Sequence, residues 1–147
     1  MALARRRAEV GWKGTLEEGR GSFTVGEWMV GEVPVTWASR TSPAEESTSP
    51  EELIAAAHAS CYAMALSLVL AERGTPPDGV DVEAECTLDG TDEGFRITTM
   101  DLDVRGRVPG LDADGFRDAA EHAHRICPVS NALRGNVEVR VQTALED

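Results

Sequence analysis

Residues 51–73, EELIAAAHASCYAMALSLVLAER, read as one long helix that is apolar nearly all round from Leu53 to Leu70. Such a helix is buried rather than laid on a surface, so the remaining chain has to be arranged around it. Its start is written plainly. Ser49 caps, Pro50 suits the first helical position, and Glu51 and Glu52 complement the positive helix end. Glu52, three after Ser49, completes a capping box. Gly74 stops the helix and the following TPPDG prevents its restart, which bounds a central helix over 50–73.

The flanking segments alternate. Residues 8–37 look like short antiparallel strands with glycine turns, and 39–52 form a loop rich in Ser, Thr, Pro and Glu. In VDVEAECTL, 80–88, Val80, Val82, Ala84, Cys86 and Leu88 alternate with polar residues, as in a half-buried strand. Residues 97–108 repeat this through Met100, Leu102 and Val104. A surface-type helix over 112–126 turns Phe116, Ala119, Ala120, Ala123 and Ile126 inward. PVSNALR is a short helix ended by Gly135, and 137–143 is a final alternating strand within a C-terminal part spanning 79–145. Helices cluster rather than alternate singly with strands. The expectation is therefore a single α+β domain over 1–147, with antiparallel sheets and a long buried central helix. A domain this long buries roughly two thirds of its unfolded surface and needs no covalent staples.

Charge narrows the partners. The net charge is −12, with 21 of the 26 acids after residue 40. Such a chain repels phosphate backbones and anionic bilayers, so neither nucleic acid nor membrane is expected as a partner. No apolar run reads as long enough to span a bilayer, and MALARRRAEVGW lacks the apolar stretch of a secretory signal. A cytoplasmic, reducing setting follows, in which cysteines stay as thiols unless they do chemistry.

Three cysteines are present. Cys86 sits on the apolar phase of its strand and reads as a small core residue. Cys127 precedes Pro128 at the start of the short helix, where a thiol is either a buried cap or one favoured by the positive helix end. Cys61 lies mid-helix on a face with Ile54, Ala57, His58, Met64, Ala65 and Leu68. So apolar a place raises a thiol pKa and makes it inert, unless a cation arrives from elsewhere. His58, one turn earlier, is a candidate, although such a histidine more often simply packs. An arginine, always charged, is better, and Arg20 and Arg40 lie in or beside N-terminal loops. Glu51 is about 15 Å from Cys61 along the same helix and cannot touch it. Two such helices packed antiparallel across a two-fold axis bring Glu51 of one chain toward the other chain's site.

Other readings compete. A metal site on Cys61, His58, Cys127 and His122 or His124 lacks CxxC or HExxH spacing, and His122 and His124 project to roughly opposite sides of their helix. A cysteine hydrolase wants a histidine base oriented by Asp or Asn. A non-catalytic, stress-related dimer that binds a small molecule needs its cysteines only for packing.

The stretches TSPEELIAAAHASCYAMALSLVL (48–70), VDVEAECTLD (80–89), FRITTMDLDVRGRVPGLDADGF (95–116) and ICPVSNAL (126–133) resemble the OsmC/Ohr thiol peroxidases, closer to the OsmC branch. This resemblance covers about two thirds of the chain. It implies an intertwined homodimer with two sites at its interface and no metal or organic cofactor. Cys61 then resembles the peroxidatic cysteine, Cys127 the resolving one, and Glu51 the family's acid. The family's arginine corresponds to Arg40 in the OsmC branch and lies nearer Arg20 in the Ohr branch. Ser49 stands where the family usually has Asn. The implied chemistry is reduction of organic hydroperoxides, and more weakly of hydrogen peroxide. It runs through a Cys61 sulfenic acid and a Cys61–Cys127 disulfide, which an external dithiol, such as a lipoylated protein, reduces. Met64 and Leu68 provide an apolar wall suited to alkyl substrates.

Overall fold

The computed structural model describes residues 1–27, 31–42 and 46–147. Positions 28–30 and 43–45, within the expected strand and loop regions, lie outside the described residues. The chain divides into two compact units, Met1–Leu53 and Ile54–Asp147.

In the first unit, β1 (Ala8–Lys13), β2 (Arg20–Val25) and β3 (Val33–Val35) form an antiparallel sheet in sequence order. Gly14, at φ 97°, opens the β1–β2 turn in a conformation that other residues adopt at a cost. A short helix, α1 (Trp37–Thr41), replaces the start of the expected loop. Its signal is local: Thr36 Oγ1 accepts from the Ser39 backbone N–H at 3.1 Å, and Ser39 Oγ accepts from the Thr36 N–H at 3.1 Å. Ser39 Oγ also lies 2.7 Å from the Thr48 carbonyl, and the Thr48 N–H donates to Pro34 at 3.0 Å. These contacts hold the chain where α2 (Pro50–Glu72) begins. The capping box read from the sequence is present there: the Glu52 N–H donates to Ser49 Oγ, and the Ser49 N–H to Glu52 Oε2, each at 3.2 Å.

The second unit holds most of α2, the hairpin β4 (Gly79–Thr91) and β5 (Gly94–Arg107), helices α3 (Ala113–Ile126) and α4 (Pro128–Leu133), and β6 (Glu138–Glu146). Strand order is β4-β5-β6. The β4–β5 pair is antiparallel, with a register shift at Thr87/Leu88 that ends the clean alternation of β4. The β5–β6 pair is parallel, not antiparallel as expected. The two helices between β5 and β6 form a crossover that returns the chain in the same direction. The architecture is thus α+β with one mixed sheet.

Helix α2 ends as its sequence predicts. Gly74 has φ 80°, its N–H donates to Ala71, and the Thr75 N–H reaches back to Leu70, both at 3.0 Å, a Schellman closure. Its burial is narrower than expected. Ala55, His58, Tyr62, Ala65, Leu66, Val69 and Leu70 form one buried stripe, while Met64 and Leu68 on another face are 68% and 52% exposed. Burying Leu66, Val69 and Leu70 contributes about 1.5–3 kcal/mol each. By length and composition α2 is apolar enough to cross a bilayer, contrary to the expectation, because His58, Ser60 and Ser67 break the run without lowering its average much. Its stripe nonetheless packs into a core with Met100, Leu102 and Val104 of β5 and Phe116, Ala119 and Ala120 of α3.

Ile126, expected inside, is 39% exposed; the inward stripe of α3 continues instead to Cys127, which is fully buried. Helix and sheet meet closely where Gly106 of β5 faces Phe116: a Cβ there would stand 2.5 Å from two ring carbons. Phe116 is buried and has no room to yield. Gly106→Ala is therefore expected to lower stability by about 1–3 kcal/mol. A urea midpoint that falls with an unchanged m-value measures it.

Candidate active site

Cys61 and Cys127 are brought together in the second unit. Cys61 is half-buried on α2. Cys127 is fully buried at the junction where α3 ends and α4 begins; its N–H donates to Ala123 at 2.8 Å and its carbonyl accepts from Asn131 at 3.0 Å. Cys127 stands near enough to act on the ionisation of Cys61. Burial pushes the Cys61 thiol up, the Val129 N–H donating to its sulfur pulls it down, and the neighbouring Cys127 raises it again. The net direction is upward, against the thiolate. Tyr62, the next residue, donates its hydroxyl to the Ala120 carbonyl at 2.7 Å; burial, then Cys127, holds its phenol well above the usual range.

His58 is not the cation that Cys61 needs. It is fully buried, and burial, then His124, holds its pKa below the ordinary imidazole value. Its Nε2 lies 2.7 Å from Ser130 Oγ, and no partner among the described residues meets its Nδ1. His124 Nδ1 approaches the same hydroxyl at 3.1 Å, and its pKa is lowered by burial, then by Arg134 and Arg125. Ser130 and its link to both histidines were missed by sequence reasoning. The available signal was spacing: Ser130 follows Cys127 by three residues, as Cys61 follows His58. His122 turns the other way, with Nδ1 3.3 Å from Arg73 Nη2. Among the described residues, no group of three or more His, Cys, Asp or Glu side chains is placed to hold a metal ion. Cys86 lies on β4 opposite Met100, against the core.

The first unit holds the other two candidates, and they are paired. Arg40 Nη2 donates to Glu51 Oε1 at 2.6 Å, and Arg40 Nε lies 3.1 and 3.3 Å from the two carboxylate oxygens. Glu51 is buried, and the guanidinium carbon sits 5.7 Å from the centre of the Trp37 ring. The caps of α1 and α2 place this pair: Arg40 is in the last turn of α1 and Glu51 in the first turn of α2. Arg20 is exposed at the start of β2.

Residues 43–142 match the OsmC-like protein family. The chain belongs to this family. It is 36% identical over 137 residues to a protein named peroxiredoxin OsmC of Escherichia coli K12, covering 93% of this chain and 95% of that one. It is 33% identical over 100 residues to an organic hydroperoxide resistance protein of Xanthomonas axonopodis, covering 67% and 68%. Among solved structures, the organic hydroperoxide resistance protein OhrB of Bacillus subtilis matches with a TM-score of 0.73 and 28% identity, over 94% and 98% of the chains. A Legionella pneumophila OsmC structure shares the fold at a TM-score of 0.77 and 24% identity, over 98% and 99%. The α+β architecture with its long helix is thus that of the OsmC/Ohr proteins.

His58 and the half-buried His124 of this OsmC-like chain have a measurable consequence. Both pKa values lie below the ordinary 6.5, so just below that pH the unfolded chain binds more protons than the folded one. Stability is full above about 6.5 and is lost as pH falls through the window beneath it. Urea midpoints taken from neutral pH to about 5.5 are expected to decline, with a shallower decline in His58→Gln.

Proposed function

We propose that this protein is a cysteine-based peroxidase that reduces organic hydroperoxides, and hydrogen peroxide more weakly, at Cys61. The observation that carries the reading is the meeting of the Cys61 and Cys127 thiols, one half-buried and one fully buried. The names of its relatives, peroxiredoxin and organic hydroperoxide resistance protein, support the same class of chemistry.

In the proposed cycle, the Cys61 thiolate attacks the distal peroxide oxygen. The O–O bond breaks, the departing alkoxide takes a proton to become the alcohol, and Cys61 is left as sulfenic acid. The Cys127 thiol then condenses with it, forming the S–S bond and releasing water. An external dithiol, such as a lipoylated protein, reduces the disulfide and is itself oxidised.

The raised pKa of Cys61 gives Arg40 its role. A buried thiol ionises when a fixed cation stands beside it in a low-dielectric site. Arg40, oriented by three short contacts to Glu51, is that cation, and the exposed Arg20 is not. Ten residues of helix keep Glu51 about 15 Å from its own Cys61, so the Arg40–Glu51 pair serves the sulfur of a second copy in a homodimer. Met64 and Leu68, on the face of α2 that carries Cys61, offer apolar surface to an alkyl chain and no polar clamp for hydrogen peroxide. The protein works as a cytoplasmic enzyme without metal or organic cofactor. A hydrolase reading has less support: among the described residues, Nδ1 of His58 meets neither Asp nor Asn.

Stopped-flow oxidation with cumene hydroperoxide, followed by mass spectrometry, tests the reading. Wild type is expected to consume thiols and yield a 61–127 disulfide, Cys61→Ser to do neither, and intact wild type losing no thiol would end the proposal. Arg40→Ala is expected to raise the Cys61 pKa by about one to three units, read from the pH dependence of alkylation. Arg20→Ala should leave it unmoved, and the reverse pattern would transfer the role to Arg20.

A further inference from the structure

Three polar side chains near the cysteines, His58 and Ser130 buried and His124 half-buried, have no part in that cycle. Ser130 Oγ is fully buried and is shared by His58 of α2 at 2.7 Å and His124 of α3 at 3.1 Å. A serine hydroxyl has one proton and two lone pairs, so it donates to one imidazole while accepting from the other. The cluster fastens α4 to α2 and α3 through a single oxygen.

Its placement relative to the sulfurs is regular. His58 precedes Cys61 by one helical turn on α2, and Ser130 follows Cys127 by one turn on α4. The imidazole–hydroxyl bond therefore joins the two cysteine-bearing elements one turn away from the place where their thiols meet. Packing alone does not explain it. Apolar side chains of similar size would fill the same space without burying His58 and Ser130, and the cluster leaves His58 Nδ1 buried with no partner among the described residues.

Disulfide closure makes a demand that the thiol pair alone does not meet. Two neighbouring sulfurs must pass to a bond of about 2.05 Å with a narrow torsional range. Cys127 has no side-chain hydrogen bond of the capping kind to aim it. The first turn of α4 has to be held against α2 while Cys61 carries its extra oxygen.

We propose that His58–Ser130–His124 is a clasp that sets the rate of disulfide closure, with His58 and Ser130 acting as positioning residues for Cys127. The clasp governs the second chemical step and leaves the first, the attack of Cys61 on peroxide, to other groups. This rests on the two-cysteine cycle proposed above. It adds a division of labour: the activating pair comes from the first unit, and the closing device is built into the second.

The test is two-step stopped-flow kinetics on the full-length protein with cumene hydroperoxide. The peroxide-dependent phase reports Cys61 oxidation, and the peroxide-independent phase reports closure. In Ser130→Ala and His58→Leu, closure is expected to slow about tenfold or more, with the first phase within about twofold of wild type. Mass spectrometry at raised peroxide should then find Cys61 as sulfinic acid in these variants at concentrations where wild type forms only the disulfide. His58→Gln, which keeps a nitrogen donor facing Ser130, should recover most of the closure rate. His58→Leu carries the test if Ser130→Ala does not fold, as judged by circular dichroism. Closure at the wild-type rate in the folded variants overturns the clasp, as does equal slowing of both phases. Wild type that forms no disulfide at all overturns the underlying cycle instead, so the two failures are distinguishable.

Discussion

The need of α2 to bury one stripe of large side chains organises the second unit. Tyr62, Leu66, Val69 and Leu70 are almost wholly removed from solvent, and the sheet and α3 supply what they pack against. The same stripe contains His58 and borders Cys61. Packing the helix therefore also fixes the depth of the thiol: shallow enough for a small molecule to reach, deep enough for burial to oppose ionisation. Cys127 takes its place by the same logic, as the last inward position of the α3 stripe that runs through Phe116, Ala119, Ala120 and Ala123.

Electrostatics divides the work between local and distant groups. Around Cys61 itself the balance is unfavourable to a thiolate, because one backbone N–H does not offset burial and a neighbouring thiol. His58, one turn before it, and His124 both have pKa values lowered by burial, which opposes their charged forms. The Arg40–Glu51 pair, on which the proposed cycle draws for a permanent cation, keeps one fixed: a carboxylate with little exposure, a guanidinium bound through two nitrogens, and an aromatic face beside it. An arginine free to roam its rotamers would ionise a neighbour less effectively, since orienting it would have to be repeated at each encounter.

Much of this was legible beforehand. The caps of α2 were, because Ser49, Pro50, Glu52 and Gly74 each act through neighbours within a turn. The strands of the hairpin were, because alternation survives until the bulge at Leu88. The short helix α1 was overlooked although Thr36 and Ser39 carry a capping box, since VPVTW reads equally well as strand. Ile126 was misplaced by one position because a helical stripe was followed one residue too early; Cys127 occupies the inward slot. Direction of β6 was not readable, since alternation is the same in parallel and antiparallel pairs.

The candidate site divides along the same line. By itself the sequence determined which residues carry the chemistry-bearing atoms and the local shape of each bearing element, because propensity, capping and periodicity operate over a few residues. Only the tertiary structure decided that Cys127 stands against Cys61, that Arg40 closes on Glu51, and that one serine hydroxyl, seventy-two positions from His58, joins two imidazoles. Those meetings depend on how whole elements pack, and packing is governed by burial of surfaces contributed from far along the chain, which no local pattern encodes.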